Sequence, residues 1–233
     1  MIDIDYLEYS SVAEMAAAVT SEVGSIIEGS VAARGEALLA LPGGSTPHPV
    51  FERLALARLP WPKVTIIPGD DRLVSTDSAL SNVAELARAF SPTGARVVPI
   101  ASDGPDYREA GSLADAVLQN LIWPPDLVWL GMGMDGHTAS IFPGPDLENA
   151  LNASAARRAI GVMPDPLPTE APVPRVTLTK SAILSARSLL VTLRGQDKRE
   201  LIERAVAQGT SSELPIGRVL AGARQPVHVH WCS

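Results

Sequence analysis

A single cysteine, Cys232, occurs in 233 residues. No internal disulfide can form, and with no Cys-x-x-Cys or Cys/His grouping the pattern of a structural zinc site is missing. Aromatic residues are scarce at 4%, while hydrophobic residues reach 46%. The core must therefore be built from Ala, Val, Leu and Ile, which suits helices packed on a buried sheet. Basic residues are outnumbered, 19 Lys and Arg against 26 Asp and Glu, for a net charge of -7. Such a chain gains little general attraction to polyanions, so neither nucleic acid nor a membrane is expected as a partner. No apolar run approaches the roughly 20 residues of a membrane-spanning helix. The opening segment, MIDIDYLEYS, is acidic and has no apolar signal core. A reducing, cytoplasmic setting is expected, and the length suits one domain over residues 1–233 rather than two.

What is present is an alternation of helical and strand-like segments without internal repeats. Val12, Met15, Ala16, Val19, Val23, Ile26 and Ile27 fall at helical spacing between Ser11 and Arg34. Compact apolar runs at Ala37–Leu41, Val64–Ile67, Val97–Ile100, Leu127–Leu130, Leu189–Leu193 and Val227–Trp231 read as strands. Between them, a helix begins near Pro47, and others span Ser81–Phe90, Tyr107–Leu121, Thr179–Ala186, Lys198–Ala207 and Pro215–Ala221. Strands alternating with helices predict a mostly parallel sheet covered on both faces. Met163–Pro174 holds five prolines and reads as a surface excursion, because the rhythm resumes after it.

Unusual residues sit where strands end, and in open parallel sheets ligands bind beyond the carboxyl ends of the strands. Gly43-Gly44-Ser45-Thr46 joins a strand to a helix. Its glycines let backbone N–H groups approach a ligand, and the helix start adds unpaired N–H groups, a fitting cradle for phosphate. The P-loop lysine is absent, which argues against a nucleoside triphosphate. Asp70-Asp71-Arg72 ends the next strand and offers carboxylates for proton transfer or hydroxyl binding beside a guanidinium for an anion. Gly131-Met132-Gly133-Met134-Asp135-Gly136-His137-Thr138 has three glycines in six positions. Its Asp135 and His137 bring a carboxylate together with the side chain that titrates near neutral pH. Arg175 and Lys198 are further cations able to neutralise a phosphate. His48, His228 and His230 have no usable partner spacing and read as structural or exposed. No third ligand is fixed beside Asp135 and His137, so neither a metal nor a cofactor is expected.

These segments carry a resemblance. LPGGSTP, DDR followed by Ser81-Asn82, GMGMDGHTASIFPG, PRVTLT and Gly195-Gln196-Asp197-Lys198 occur in the order seen in the 6-phosphogluconolactonase family, within the glucosamine-6-phosphate isomerase/deaminase-like superfamily. The resemblance runs from about residue 5 to the C-terminus, and DGHTASIFPG is its most specific part. It implies an α/β fold: a single three-layer α/β/α domain with a mostly parallel, Rossmann-like sheet. It also implies that Gly43, Gly44, Ser45, Thr46, Arg175 and Lys198 hold a substrate phosphate, that His137 is the catalytic base, and that Asp70, Arg72 and Asp135 line the site. The expected partner is a small phosphorylated sugar lactone, and the expected assembly a monomer or small homo-oligomer. One departure is visible: the family usually has Asp-Glu-Arg where this chain has Asp70-Asp71-Arg72, one methylene shorter.

The superfamily holds two chemistries. Isomerase-deaminases resemble one another in a glutamate soon after the histidine. Here the matching segment is Ile141-Phe142-Pro143-Gly144, and the first carboxylate after His137 is Asp146. Hydrolysis of 6-phospho-D-glucono-1,5-lactone, a step of the oxidative pentose phosphate pathway, needs only a base for water, donors for an oxyanion and an acid for the leaving oxygen. That reaction is the expectation. The alternatives are a glucosamine-6-phosphate isomerase/deaminase and a non-catalytic sugar-phosphate sensor.

Overall fold

The computed structural model describes residues 2–101, 104 and 106–233. Its elements in chain order are β1 (Ile4–Tyr9), α1 (Val12–Arg34), β2 (Ala37–Leu41), α2 (His48–Leu56), β3 (Val64–Pro68), β4 (Asp70–Arg72), α3 (Asn82–Phe90), β5 (Arg96–Val97), α4 (Tyr107–Gln119), β6 (Leu127–Leu130), α5 (Leu147–Leu151), β7 (Ala159–Val162), β8 (Arg175–Leu178), α6 (Lys180–Leu184), β9 (Ser188–Arg194), α7 (Gln196–Gln208), α8 (Pro215–Leu220) and β10 (Val227–Cys232).

Local chemistry sets several of these boundaries. The Ser11 side chain accepts from the Glu14 N–H to start α1, and Gly35, at φ 85°, ends it in the left-handed region that favours glycine. Ser81 and Thr179 cap α3 and α6 in the same way.

Seven strands pair in the order β1-β10-β9-β6-β2-β3-β5, every pairing parallel. All five residues of β2 and all four of β6 are buried, as strands covered on both faces must be. Their side chains alternate between two cores. Leu39, Leu41 and Trp129 pack with Met15, Val19 and Val23 of α1, Phe51 of α2 and Phe90 of α3. Leu38, Ala40, Val128 and Leu130 pack with Ala114 and Leu118 of α4, Ile183 of α6, Ile202 of α7 and Ile216 of α8. This is the expected α/β/α layering. Four of the five aromatics buried in these cores (Phe51, Trp61, Phe90 and Trp129) belong to the first, where Phe51 meets Phe90 and Trp129 edge-on at 5.3 and 5.6 Å. Each such pair adds about 0.5–1.5 kcal/mol beyond its buried area.

A second sheet was not legible in the pattern. β4, β8 and β7 pair antiparallel in that order. Asp70-Asp71-Arg72 is thus a short strand of its own rather than the end of the preceding one, and Met163–Pro174 is the connection between β7 and β8. Three- and four-residue strands carrying polar side chains are too short for alternation to register. β1 and α5 were likewise unforeseen, while the strand expected over Val97–Ile100 is confined to Arg96–Val97, with Val98 adding one hydrogen bond to Ile66. The small sheet is seated through two glycines. A Cβ on Gly111 of α4 would lie 1.9 Å from the Gly161 nitrogen of β7, and one on Gly161 would lie 1.6 Å from the Tyr107 carbonyl oxygen. Only bare backbone permits that approach.

Candidate active site

Beyond the carboxyl ends of β2, β3, β6 and β9 lies an open cleft of about 290 Å³. Gly43, Gly44, Ser45, Thr46, Asp70, Arg72, His137, Arg175 and Lys198 all line it, so segments as much as 155 residues apart in sequence meet there. Of the catalytic and substrate-binding residues expected above, only Asp135 is not on its wall. It stands behind His137, with its carboxylate 2.6 Å from Nδ1.

The loop after β6 is wound around that contact. Asp135 also accepts from the His137 backbone N–H at 3.1 Å, and the Gly133 N–H donates to the His137 carbonyl at 3.0 Å. A Cβ on Gly133 would stand 2.2 Å from the imidazole and 2.6 Å from Asp135 Oδ1. The glycine therefore makes room for the pair. Gly136 takes φ 76° with Leu214 beneath it. Ala139 has φ 48°, the one positive φ outside glycine among the described residues, a strained turn of the kind found at functional sites. Burial tends to raise the Asp135 pKa, but the hydrogen bond and charge of His137 outweigh it and hold the carboxyl below its usual range. Asp135 thus stays ionised beside the ring. Among the described residues, His137 Nε2 has no hydrogen-bond partner, and His137 itself borders the cleft.

The small sheet delivers two cations. Arg72 of β4 lies directly across from Arg175 of β8. Like charges facing across a strand pair repel, and here the Nε of each is buried without a partner. Arg175 is only 4% exposed. It donates to the Ala171 carbonyl and lies 4.9 Å over the ring of Phe142, while Arg72 donates to the Leu80 carbonyl. Burial lowers the pKa of Arg175; Asp70 opposes this and Arg72 reinforces it. Two arginines opposite one another across a strand pair, each with an unsatisfied Nε and both lining an open cleft, are a donor set chemically suited to an anion.

The two acids of the β4 segment have separate tasks. Asp71 is 1% exposed and accepts from the backbone N–H groups of Arg72, Asn82 and Val83 and from the Ser81 hydroxyl. It caps the amino end of α3, and its shorter side chain is consumed there. Burial, partly offset by these bonds, raises its pKa. Asp70 instead accepts from the Ser140 hydroxyl and from Asn82 Nδ2, so it is Asp135 rather than Asp70 that contacts His137.

Lys198, in the first turn of α7, faces the cleft. Burial pulls its pKa down, against the attraction of Asp135. Its neighbour Arg199 turns away onto Tyr6 and Trp231 and pairs with Glu203. His48 pairs with Glu85, while His228 and His230 both reach Glu22.

Sequence reading passed over Asn82, Ser140 and Phe142. A Cβ on Gly43 would fall 2.0 Å from Asn82 Oδ1, so Asn82 ties the glycine loop to Asp70. Phe142 stacks on His137 at 4.1 Å between centroids and also carries Arg175. Their one signal was membership of the Ser81-Asn82 and TASIFPG segments.

Known proteins resemble this chain along nearly its whole length. A family model described as glucosamine-6-phosphate isomerases/6-phosphogluconolactonase matches residues 10–231. A 6-phosphogluconolactonase of Rhizobium meliloti is 36% identical over 221 residues, covering 93% of this chain and 94% of that protein. One of Mesorhizobium japonicum is 36% identical over 222 residues, covering 94% and 91%. The crystal structure of a 6-phosphogluconolactonase from Shewanella baltica superposes with a TM-score of 0.89 at 32% identity, over 99% of this chain and 98% of that one. With nearly its whole length matched, the chain belongs to the glucosamine-6-phosphate isomerase/6-phosphogluconolactonase family.

Proposed function

We propose that residues 1–233 act as one catalytic domain that hydrolyses 6-phospho-D-glucono-1,5-lactone to 6-phosphogluconate, the lactone step of the oxidative pentose phosphate pathway. The observation that carries the reading is the coexistence, in one cleft, of an anion receptor and a carboxylate-backed imidazole. Arg72 and Arg175 face each other with unpaired Nε groups, and His137 meets the same space with Asp135 behind it.

The substrate phosphate rests on the Gly43–Thr46 loop, Arg175 and Lys198. His137 Nε2 takes a proton from water as the oxygen attacks the lactone carbonyl. Ionised Asp135 holds Nδ1–H, fixes the tautomer and stabilises the imidazolium that forms. Backbone N–H groups of a glycine loop steady the tetrahedral oxyanion, while Arg72 stays with Arg175 in the anion receptor. Collapse of that intermediate breaks the bond from carbonyl carbon to ring oxygen, and His137 returns its proton to the departing oxygen. Grip on the phosphate, remote from the reacting carbon, supplies orientation. Asp70, held by Ser140 and Asn82, is a fixed acceptor for a sugar hydroxyl.

Ring opening and proton transfer between carbons in an amino sugar would call for a further acid. Ile141-Phe142-Pro143-Gly144 supplies none at the corresponding place, which favours the hydrolase over the deaminase. The test is a coupled assay of lactone loss with and without protein, corrected for spontaneous hydrolysis. Acceleration abolished in His137→Ala supports the reading. Ammonia release from glucosamine 6-phosphate, or phosphogluconate binding with no acceleration, would replace it with the deaminase or the sensor.

A further inference from the structure

Away from the cleft, on the α1 face of the sheet, β10 presents His228 and His230 on one side of the strand. Glu22 of α1 reaches both. Its Oε1 is 2.7 Å from His228 Nδ1, and its Oε2 is 2.9 Å from His230 Nε2. From these contacts we propose that Glu22, His228 and His230 form a binding site for a divalent late first-row transition metal ion such as Zn²⁺.

Two imidazoles and a carboxylate are donors suited to this class of ion. The three donor atoms lie within 4.8 Å of one another. Around a tetrahedral Zn²⁺, with bonds of about 2.0–2.2 Å, donors stand about 3.3–3.6 Å apart. Closing on an ion therefore takes side-chain movements of about 1 Å.

The far sides of the rings complete the arrangement. His230 Nδ1 is 2.9 Å from the Tyr9 hydroxyl of β1, and His228 Nε2 is 3.8 Å from an Asp5 carboxylate oxygen, also on β1. A ligating imidazole needs a group that takes its other N–H, because that contact fixes the tautomer which offers a lone pair to the ion. His230 has one in Tyr9, and the Asp5 carboxylate stands beyond His228 Nε2, outside hydrogen-bond distance but on the side where it would take that N–H. In that tautomer each inward nitrogen offers its lone pair to the ion, and Glu22 supplies a carboxylate oxygen.

Access and rigidity fit as well. His230 is 1% exposed and stacked against Tyr9. His228 and Glu22 border an open depression of about 370 Å³ with Ser25, Ile26, Arg187 and Pro226, which leaves room for a water as fourth ligand. Arg187, the cation on that rim, is drawn toward Asp126 at 3.4 Å. A bound ion would fasten α1 to β10, two elements far apart in sequence. Sequence spacing could not show this, since Glu22 and His228 are separated by 206 positions.

The experiment titrates tag-free protein with Zn²⁺ in a His137→Asn background, so that the cleft histidine cannot contribute, and follows melting temperature and metal stoichiometry. One retained equivalent is expected, with a rise of about 5–10 °C at a free concentration near 100 times Kd. Glu22→Gln and His228→Asn, each introduced separately, should abolish the rise. In an otherwise wild-type chain each should keep lactone turnover, which certifies the fold. No rise in the His137→Asn protein, or a rise that survives both substitutions, would overturn the proposal.

Discussion

The protein holds two histidine sites built from the same parts and set in opposite surroundings. His137 stands on a glycine loop at the carboxyl end of the sheet. One nitrogen is tied to Asp135, and the other has no partner among the described residues. His230 sits within a regular strand, buried, with both nitrogens engaged by Glu22 and Tyr9. A carboxylate beside an imidazole is therefore not in itself a mark of catalysis. What separates the two is the freedom of the second nitrogen and the presence of a cationic cleft in front of it. A loop can aim a ring at a ligand with one face left open, whereas a strand in mid-sheet surrounds it.

The contrast is open to attack at several points. The largest effect should come from His137→Ala, which should lower kcat by roughly 10²–10⁴-fold while His228→Asn leaves it unchanged. Comparable losses in both would erase the distinction. Next is Gly133→Ala. The added methyl collides with the imidazole and with Asp135, and a displacement of about 1 Å costs roughly 10²-fold. Turnover should fall while the melting temperature stays near that of the parent, and normal turnover would mean that the ring's position is not critical. Arg175→Ala should mainly raise KM, by about 10–100-fold, as expected for losing charge-assisted hydrogen bonds of about 1.5–3 kcal/mol. Arg175→Lys should restore little of it, because a single ammonium does not replace the guanidinium fork. Calorimetry with 6-phosphogluconate separates this from a folding defect.

The smallest effect is a pH dependence. Burial lowers the pKa of Lys198, so its charge is present at low pH and lost as pH rises through a value below the ordinary lysine figure of about 10.4. Affinity for 6-phosphogluconate should weaken several-fold over that alkaline range. Lys198→Arg should remove the trend, and an unchanged profile would detach Lys198 from the phosphate.

Most of the parallel layer was readable because its strands are short apolar runs and its helices keep strict spacing. Leu127–Leu130 and Val12–Arg34 are plain in both sequence and structure. The residues of the cleft were readable because glycine, acid and histidine together at a strand end are chemically conspicuous. The antiparallel sheet was not, since Asp70-Asp71-Arg72 looks like any polar turn until Arg175 is found opposite Arg72. Nor could composition reveal Phe142, a lone aromatic whose ring serves two partners, His137 and Arg175, 38 residues apart in sequence, or Asn82, whose value lies in touching both the glycine loop and Asp70. The task of Asp71 became clear only from its four donors, which show a helix cap.

The Gly111–Gly161 seam bears on the placement of Arg175 without touching it. That arginine is mounted on a small sheet, and the sheet's height above the main layer is set by how closely α4 rests on β7. One methyl inserted there acts as a shim. It would tilt the platform and detune the distance between guanidinium and imidazole, leaving every catalytic side chain chemically intact. A lesion of that kind would masquerade as a poor fit for the ligand, although its origin lies in a seam between a helix and a strand that lines no part of the cleft.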